Sequence, residues 1–191
     1  MAYILYHLEL VWSFVRGDDE ALYRIDSTPR GVVLSFLAMI IVEPLSLFYA
    51  FLLGFLDKVL FFRDGGLPYY FLQLLLDWGL APLVLYLFCI LFGFRDRIIP
   101  LIVSYNWLSV IVLMITILPG ALMTSQLVAA PMAVLLMLAI YGFALWIAFR
   151  LYRFVLACPA SMAVGLAVLM LIIGISSAVW LQDLVSNSLG A

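Results

Sequence analysis

Charge is scarce in this chain. Only 10% of its 191 residues are Asp, Glu, Lys or Arg, lysine occurs once (Lys58) and histidine once (His7). A soluble globular domain carries about a quarter charged residues. The nine Lys and Arg residues are scattered and the net charge is −2, so there is no basic patch for nucleic acid. With one His and no partner near it, a Ser-His pair or a His-based metal centre cannot be assembled. Cys89 and Cys158 lie in or beside apolar runs without a CxxC neighbour. They read as small packing residues rather than a disulfide, zinc or haem site. No Gly-rich phosphate loop with a following Lys occurs. The opening MAYILYHLELVWSFV is apolar but has no basic stretch before it and no A-x-A site after it, so no cleavable signal is expected. No cofactor, metal or catalytic residue is expected.

What the chain has is apolar surface. It is 68% hydrophobic with a mean hydropathy of +1.26, more than so small a body can bury within itself, and the remaining solvent is lipid. A membrane helix needs about 20 mostly apolar residues. Five runs meet that test, about 32–56, 69–93, 98–118, 128–149 and 162–184. The second lies within a longer apolar stretch, Leu67 to Phe94, and the third ends at a Pro119-Gly120 turn. The expected fold is therefore all-α, a polytopic bundle of five transmembrane helices over residues 31–191, preceded by an N-terminal segment, residues 1–30. Within that segment Ile4, Leu5, Leu8, Val11, Trp12 and Val15 recur at helical spacing, with His7 and Glu9 towards another face. At this length it reads as an amphipathic helix lying in the interface. The polar linker RGDDEALYRIDSTPR then turns the chain into the first span, with Ser27 or Thr28 placed to cap and Pro29 suited to an early helical position.

An odd number of spans puts the termini on opposite sides. Arg16, Arg24, Arg30, Arg95, Arg97, Arg150 and Arg153 then fall on one face, against Lys58 and Arg63 on the other. Cytoplasmic loops carry the excess of Lys and Arg, so the N-terminus is expected inside and the C-terminus outside. Arg95, Arg97, Arg150 and Arg153 read as positive-inside anchors or as contacts for lipid headgroups. Tyr69, Tyr70 and Trp180 lie near span ends as interface anchors, and Trp107 reads as packing. Phe-Arg-Asp occurs at 62–64 and 94–96, each followed four residues later by Pro; the surrounding residues do not align, and chance explains the pair better than an inverted repeat.

Three polar residues lie within the spans: Glu43, Asp77 and Asn106. An ionisable group in hydrocarbon is costly and marks either function or helix–helix structure. Glu43 falls near mid-bilayer. Asp77 is deep if its span starts near Leu67 and close to the outer headgroups if it starts near Phe71. As a functional set the three would form a proton or cation site with Asn106 as a neutral ligand. As a structural set they are clamps, with Asn106 the expected partner of Glu43. The clamp is favoured, because coupled transporters show interrupted helices in matching positions. Pro44 and Pro82 free the carbonyls of Ile40 and Trp78, and Gly174 with Ala178 offers a small-xxx-small face on the fifth span.

Two stretches carry a family resemblance. IIVEPLSLFYAF pairs an acid with Pro in the first span, and RDRIIPLIVSYNWLSVIVLMITILP runs from a short charged loop through a Tyr with small or polar neighbours to a final Pro. With five spans and an inside N-terminus, residues 31–184 resemble the Yip/Yif family of small membrane proteins, in its bacterial form. Here the acid and Pro are adjacent, without the Gly-Pro setting of eukaryotic members, and no long N-terminal domain corresponds to theirs. The resemblance therefore implies a membrane-organising or adaptor role rather than Rab-GTPase binding or catalysis. The expected function is a non-enzymatic integral membrane protein, a scaffold or accessory subunit for other membrane proteins or a homo-oligomer, in a bacterial inner membrane. The alternative is a small transporter or channel in which Glu43 titrates. A lipid-modifying enzyme would lack an activated nucleophile.

Overall fold

Lipid leaves backbone N–H and C=O groups no partner but one another, so membrane-length apolar runs fold as helices. The computed structural model describes residues 1–53, 59–124 and 129–189, and among these residues it contains eight α-helices and no strand. They are α1 (Ala2–Val15), α2 (Pro29–Ser35), α3 (Leu37–Leu52), α4 (Leu67–Leu75), α5 (Ala81–Leu91), α6 (Ile98–Thr124), α7 (Ala130–Leu156) and α8 (Ala160–Leu189). Helices α2 and α3 join into one apolar stretch, Pro29–Leu52, and α4 and α5 into another, Leu67–Leu91. With α6, α7 and α8 this makes five helices long and apolar enough to cross a membrane. The protein is an integral membrane protein of all-α architecture.

The boundaries differ from the sequence reading in instructive places. The expected first span, 32–56, starts earlier, at Pro29, and its last residues lie outside the described ones. Thr28 is the N-cap, its hydroxyl accepting from Gly31 N at 3.0 Å, and Pro29 takes the first helical position. A Cβ at Gly31 would collide with the backbone carbonyl of Asp26, so only glycine fits there. The third span does not stop at Pro119-Gly120. α6 continues through Pro119 to Thr124, because neighbouring helices compensate for the backbone bond that a membrane proline removes. Gly120 is what the neighbour needs: the Tyr49 ring of α3 lies where a Cβ would stand. The fourth span runs beyond the expected 149 to Leu156, its expected start at Val128 lying outside the described residues, and the fifth extends over Ala160–Leu189.

Helix α6 is the axis of the bundle. Half of its span is buried inside the protein, against 11% for α7 and 17% for α8. Leu101, Val103, Trp107 and Val110 of α6 are fully buried, among Leu85 and Cys89 of α5, Leu151 and Tyr152 of α7 and Leu166 of α8. Cys89 and Cys158 are both buried and free, as small packing residues are. A smaller cluster, Leu60, Leu181 and Val185 with Tyr69, Tyr70, Leu72 and Leu76 packed on it, joins α8 to α4 at the other end of the molecule.

Helix α1 packs on α6. The face it buries is His7, Leu10, Val11 and Phe14, whereas Leu5 and Trp12 are exposed. His7 thus belongs to the packed face, not to a polar one. Its Nε2 accepts from Asp26 N at 3.4 Å, so Nδ1 carries the proton and donates to the Tyr3 carbonyl at 2.8 Å. The ring stacks on Trp107, centroids 5.7 Å apart. A polar ring satisfied on both nitrogens can be buried at little cost.

Asp26 ties the linker to α1. The Thr28 hydroxyl donates to Oδ1 at 2.6 Å and the Tyr3 hydroxyl to Oδ2 at 3.0 Å. These bonds, that from Thr28 foremost, hold the Asp26 carboxyl below its ordinary value, while burial and the same carboxylate push the Tyr3 phenol up to about 12. A carboxyl depressed in the folded state stabilises above its unfolded pKa, and that stabilisation is lost as pH falls through the folded value. Thermal unfolding in detergent should therefore show the protein losing stability below about pH 4, with a smaller acid loss in Asp26→Asn. Gly120→Leu should lower the unfolding midpoint markedly by driving against Tyr49, by an amount on the order of 1–3 kcal/mol as for an overpacked core.

Candidate functional site

Glu43 sits on α3 about 14 Å from the helix end at Leu52, counting 1.5 Å per residue. Both of its carboxylate oxygens are engaged. Trp78 Nε1 donates to Oε1 at 2.9 Å, and the Tyr70 hydroxyl donates to Oε2 at 3.3 Å. The acid therefore joins the first span to the second. Trp78 is buried and reaches Glu43 from an unusual backbone: Leu76–Leu80 form a π turn between α4 and α5. The wider turn precedes Pro82, whose ring would clash with the Trp78 carbonyl in a regular α-helix.

Asn106 does not meet Glu43. Its Nδ2 donates to Ser35 Oγ at 2.8 Å, and Ser35 in turn donates to the Val32 carbonyl at 2.7 Å. The reason is register. Because Thr28 starts the helix at Pro29, Ser35 lies about 9 Å along it and Glu43 about 21 Å, whereas Asn106 lies about 12 Å from the start of α6. Asn106 is level with Ser35. Hydroxyls bonded back to their own helix bend it, and the first span breaks at Phe36, just after Ser35. Asn106 and Ser35 are both buried, a second polar clamp on the first span, against α6.

Asp77 takes the deep alternative. The second span starts at Leu67, which sets Asp77 about 15 Å along it. It lies on the π turn and opens into two cavities. One, of about 410 Å³, is bounded by Arg63, Gln73, Asp77, Ser177 and Gln182 together with Leu60, Leu76, Ala178, Leu181 and Val185. The other, of about 140 Å³, brings Asp77 towards Tyr105, Gly174 and Ser177. A third cavity, of about 290 Å³, holds Glu43, Ser46, Tyr70 and Gln73. Gln73 thus faces both carboxylates from between them. The structure brings Glu43 and Asp77 into one polar zone and leaves Asn106 in another.

Sequence reasoning missed Tyr70, Trp78, Ser35, Gln73, Ser177 and Gln182. A signal was present: Tyr70, Gln73 and Asp77 follow helical spacing, one stripe on α4 and the π turn. Tyr70 had been expected as an interface anchor, and its hydroxyl instead serves Glu43. Gly174 and Ala178 face cavities, with open space where a Cβ on Gly174 would stand, so they form no close seam within the chain.

At the basic end, Arg150 turns inward. It pairs with Asp19, donates to the Phe14 carbonyl at 3.2 Å and lies 4.7 Å from the centroids of both Phe14 and Trp146. This side chain locks α7 to α1 and the linker. Arg153 beside it, and Arg95 and Arg97 in the turn before α6, are exposed. Among the described residues no group of His, Cys, Asp and Glu could hold a metal ion. No protein-family model, curated protein or solved structure matches the chain.

Glu43→Gln should unfold within about 1 kcal/mol of the parent, since an amide oxygen still accepts from Trp78, whereas Glu43→Leu should lose about 1–3 kcal/mol by leaving the Trp78 N–H and Tyr70 O–H unpaired. Denaturant titration in mixed micelles reads the difference, and equal losses in the two variants would contradict the clamp.

Proposed function

We propose that the protein is a non-enzymatic integral membrane protein that acts as a scaffold, adaptor or accessory subunit for other membrane proteins. One observation carries this reading: Glu43 and Asn106, polar groups within the first and third spans, are spent on hydrogen bonds between helices. Groups used in this way hold a surface in shape rather than perform chemistry. The resemblance to the Yip/Yif family supports the same role. Seven arginines at one end argue for that end being cytoplasmic, in a bacterial inner membrane. Helix α1 would then lie in that interface with Leu5 and Trp12 towards lipid, a placement that suits its length and its packing against α6.

A second reading, a small transporter or channel, is favoured by Asp77, which sits midway along its span and opens into cavities.

Two measurements separate them. A photo-crosslinking residue at Leu138, exposed on α7, should give discrete protein adducts in native membranes, unchanged by Glu43→Gln; adducts to lipid alone would sink the adaptor role. In reconstituted vesicles the transport reading requires pH-dependent flux that Asp77→Asn or Glu43→Gln abolishes while protein levels and adducts persist.

A further inference from the structure

The cavity bounded by Arg63 and Asp77 is lined by charges of opposite sign. Arg63 lies in the turn just before α4, at the membrane end of the cavity. Asp77 lies about 15 Å further along the second span. Gln73, one turn before Asp77, and Ser177 of α8 line the wall between, and Gln182 lies on the same side as Arg63, about 10 Å from the end of α8. The cavity, about 410 Å³, falls in the range of small-molecule sites, which run from about 300 to 1,000 Å³. A carboxylate this deep in a bilayer is costly unless a cation accompanies it. Arg63 can extend along apolar wall while its guanidinium stays near the interface, where its fork matches a carboxylate or phosphate.

We propose that this cavity is a binding site for a small zwitterion, with the ligand's ammonium at Asp77 and its carboxylate or phosphate at Arg63. An ammonium has three N–H donors. Asp77 accepts one, and the Gln73 amide oxygen and the Ser177 hydroxyl oxygen are neutral acceptors for the others. The Ser177 hydroxyl proton is already given to the Gly174 carbonyl at 2.9 Å, which leaves its oxygen free to accept. At the other end Arg63 and the Gln182 amide supply donors to the anion. The π turn contributes by carrying Asp77 where α4 and α8 leave space. The ligand chemistry has two sources, a free amino acid or the phosphoethanolamine headgroup of a lipid entering from the side. The site goes beyond the adaptor role and names a solute class for the transport reading, yet it is tested by binding and not by flux.

The full-length protein in mild detergent would be titrated with glycine, γ-aminobutyrate, 6-aminohexanoate and O-phosphoethanolamine, with butylamine and butyrate as single-charge controls. Unfolding is followed by tryptophan fluorescence. At least one zwitterion should raise the midpoint by about 5 °C near saturation, the scale expected for ligand-linked stabilisation of a chain this size. Arg63→Gln should weaken apparent affinity about tenfold or more, and Asp77→Asn should abolish the shift. Ser177→Leu fills the cavity without touching either charge and should abolish binding while the unliganded midpoint holds, which keeps the test valid should Asp77→Asn fold poorly. If phosphatidylethanolamine in nanodiscs stabilises the protein over phosphatidylcholine, dependent on Asp77, while the free solutes do not, the site is for a lipid headgroup. The proposal is overturned if neither source gives a shift, if butylamine or butyrate matches the zwitterions, or if Ser177→Leu and Asp77→Asn bind as the parent does.

Discussion

Hydrocarbon offers no hydrogen-bond partner, and this constraint arranges the first span of the protein. Two polar side chains carried into the membrane by α2 and α3 find their complements on other helices: Ser35 on α6, Glu43 on the second span. The two contacts lie about 12 Å apart along the helix and point to different neighbours. Together they hold the first span by its polar groups where only 17% of it is buried. A helix so poorly enclosed has little packing to fix its rotation. Two directional bonds to separate helices fix both its rotation and its height.

The two ends of the molecule are built differently. At the basic end α1 and the linker close over α6 and α7, with His7, Asp26 and Arg150 each bonded to more than one partner. At the other end α8 touches α4 through a small cluster, and the space above it stays open. At the first end Asp26 and Arg150 are consumed in joining elements. At the second, Asp77 and Arg63 border empty volume instead. Stability and access are thus assigned to opposite sides of one bundle.

Much of this was legible in the chain itself. Run length and composition suffice for five spans, and Thr28-Pro29 marks a helix start because its capping chemistry is local. The need for a partner at Glu43 also follows from burial alone. Which partner does not. Pairing depends on where each helix begins, and an offset of three residues moves a side chain about 4.5 Å along the membrane normal, enough to trade Glu43 for Ser35 opposite Asn106. Pro119-Gly120 misled for a related reason: that dipeptide is a turn signal in water, but inside lipid an interrupted helix has nowhere better to send its backbone groups. His7 was invisible as a packing residue because its partners, an accepting carbonyl and a distant amide N–H that donates, leave no trace in side-chain type.

The π turn at Leu76–Leu80 has a consequence for how the second span is read. A π turn is an α-helix carrying one residue too many, which shifts the phase of everything after it by roughly 100° relative to an uninterrupted helix at 3.6 residues per turn. In an uninterrupted helix the stripe formed by Tyr70, Gln73 and Asp77 would continue at Ala81, Val84 and Phe88; with one residue inserted it continues one position later, at Leu85 and Cys89, both buried in α5. One face of the second span therefore runs from the polar zone at Tyr70, Gln73 and Asp77 to the core at Leu85 and Cys89. A single inserted residue is enough to bring the polar half and the apolar half of one transmembrane segment onto a common face.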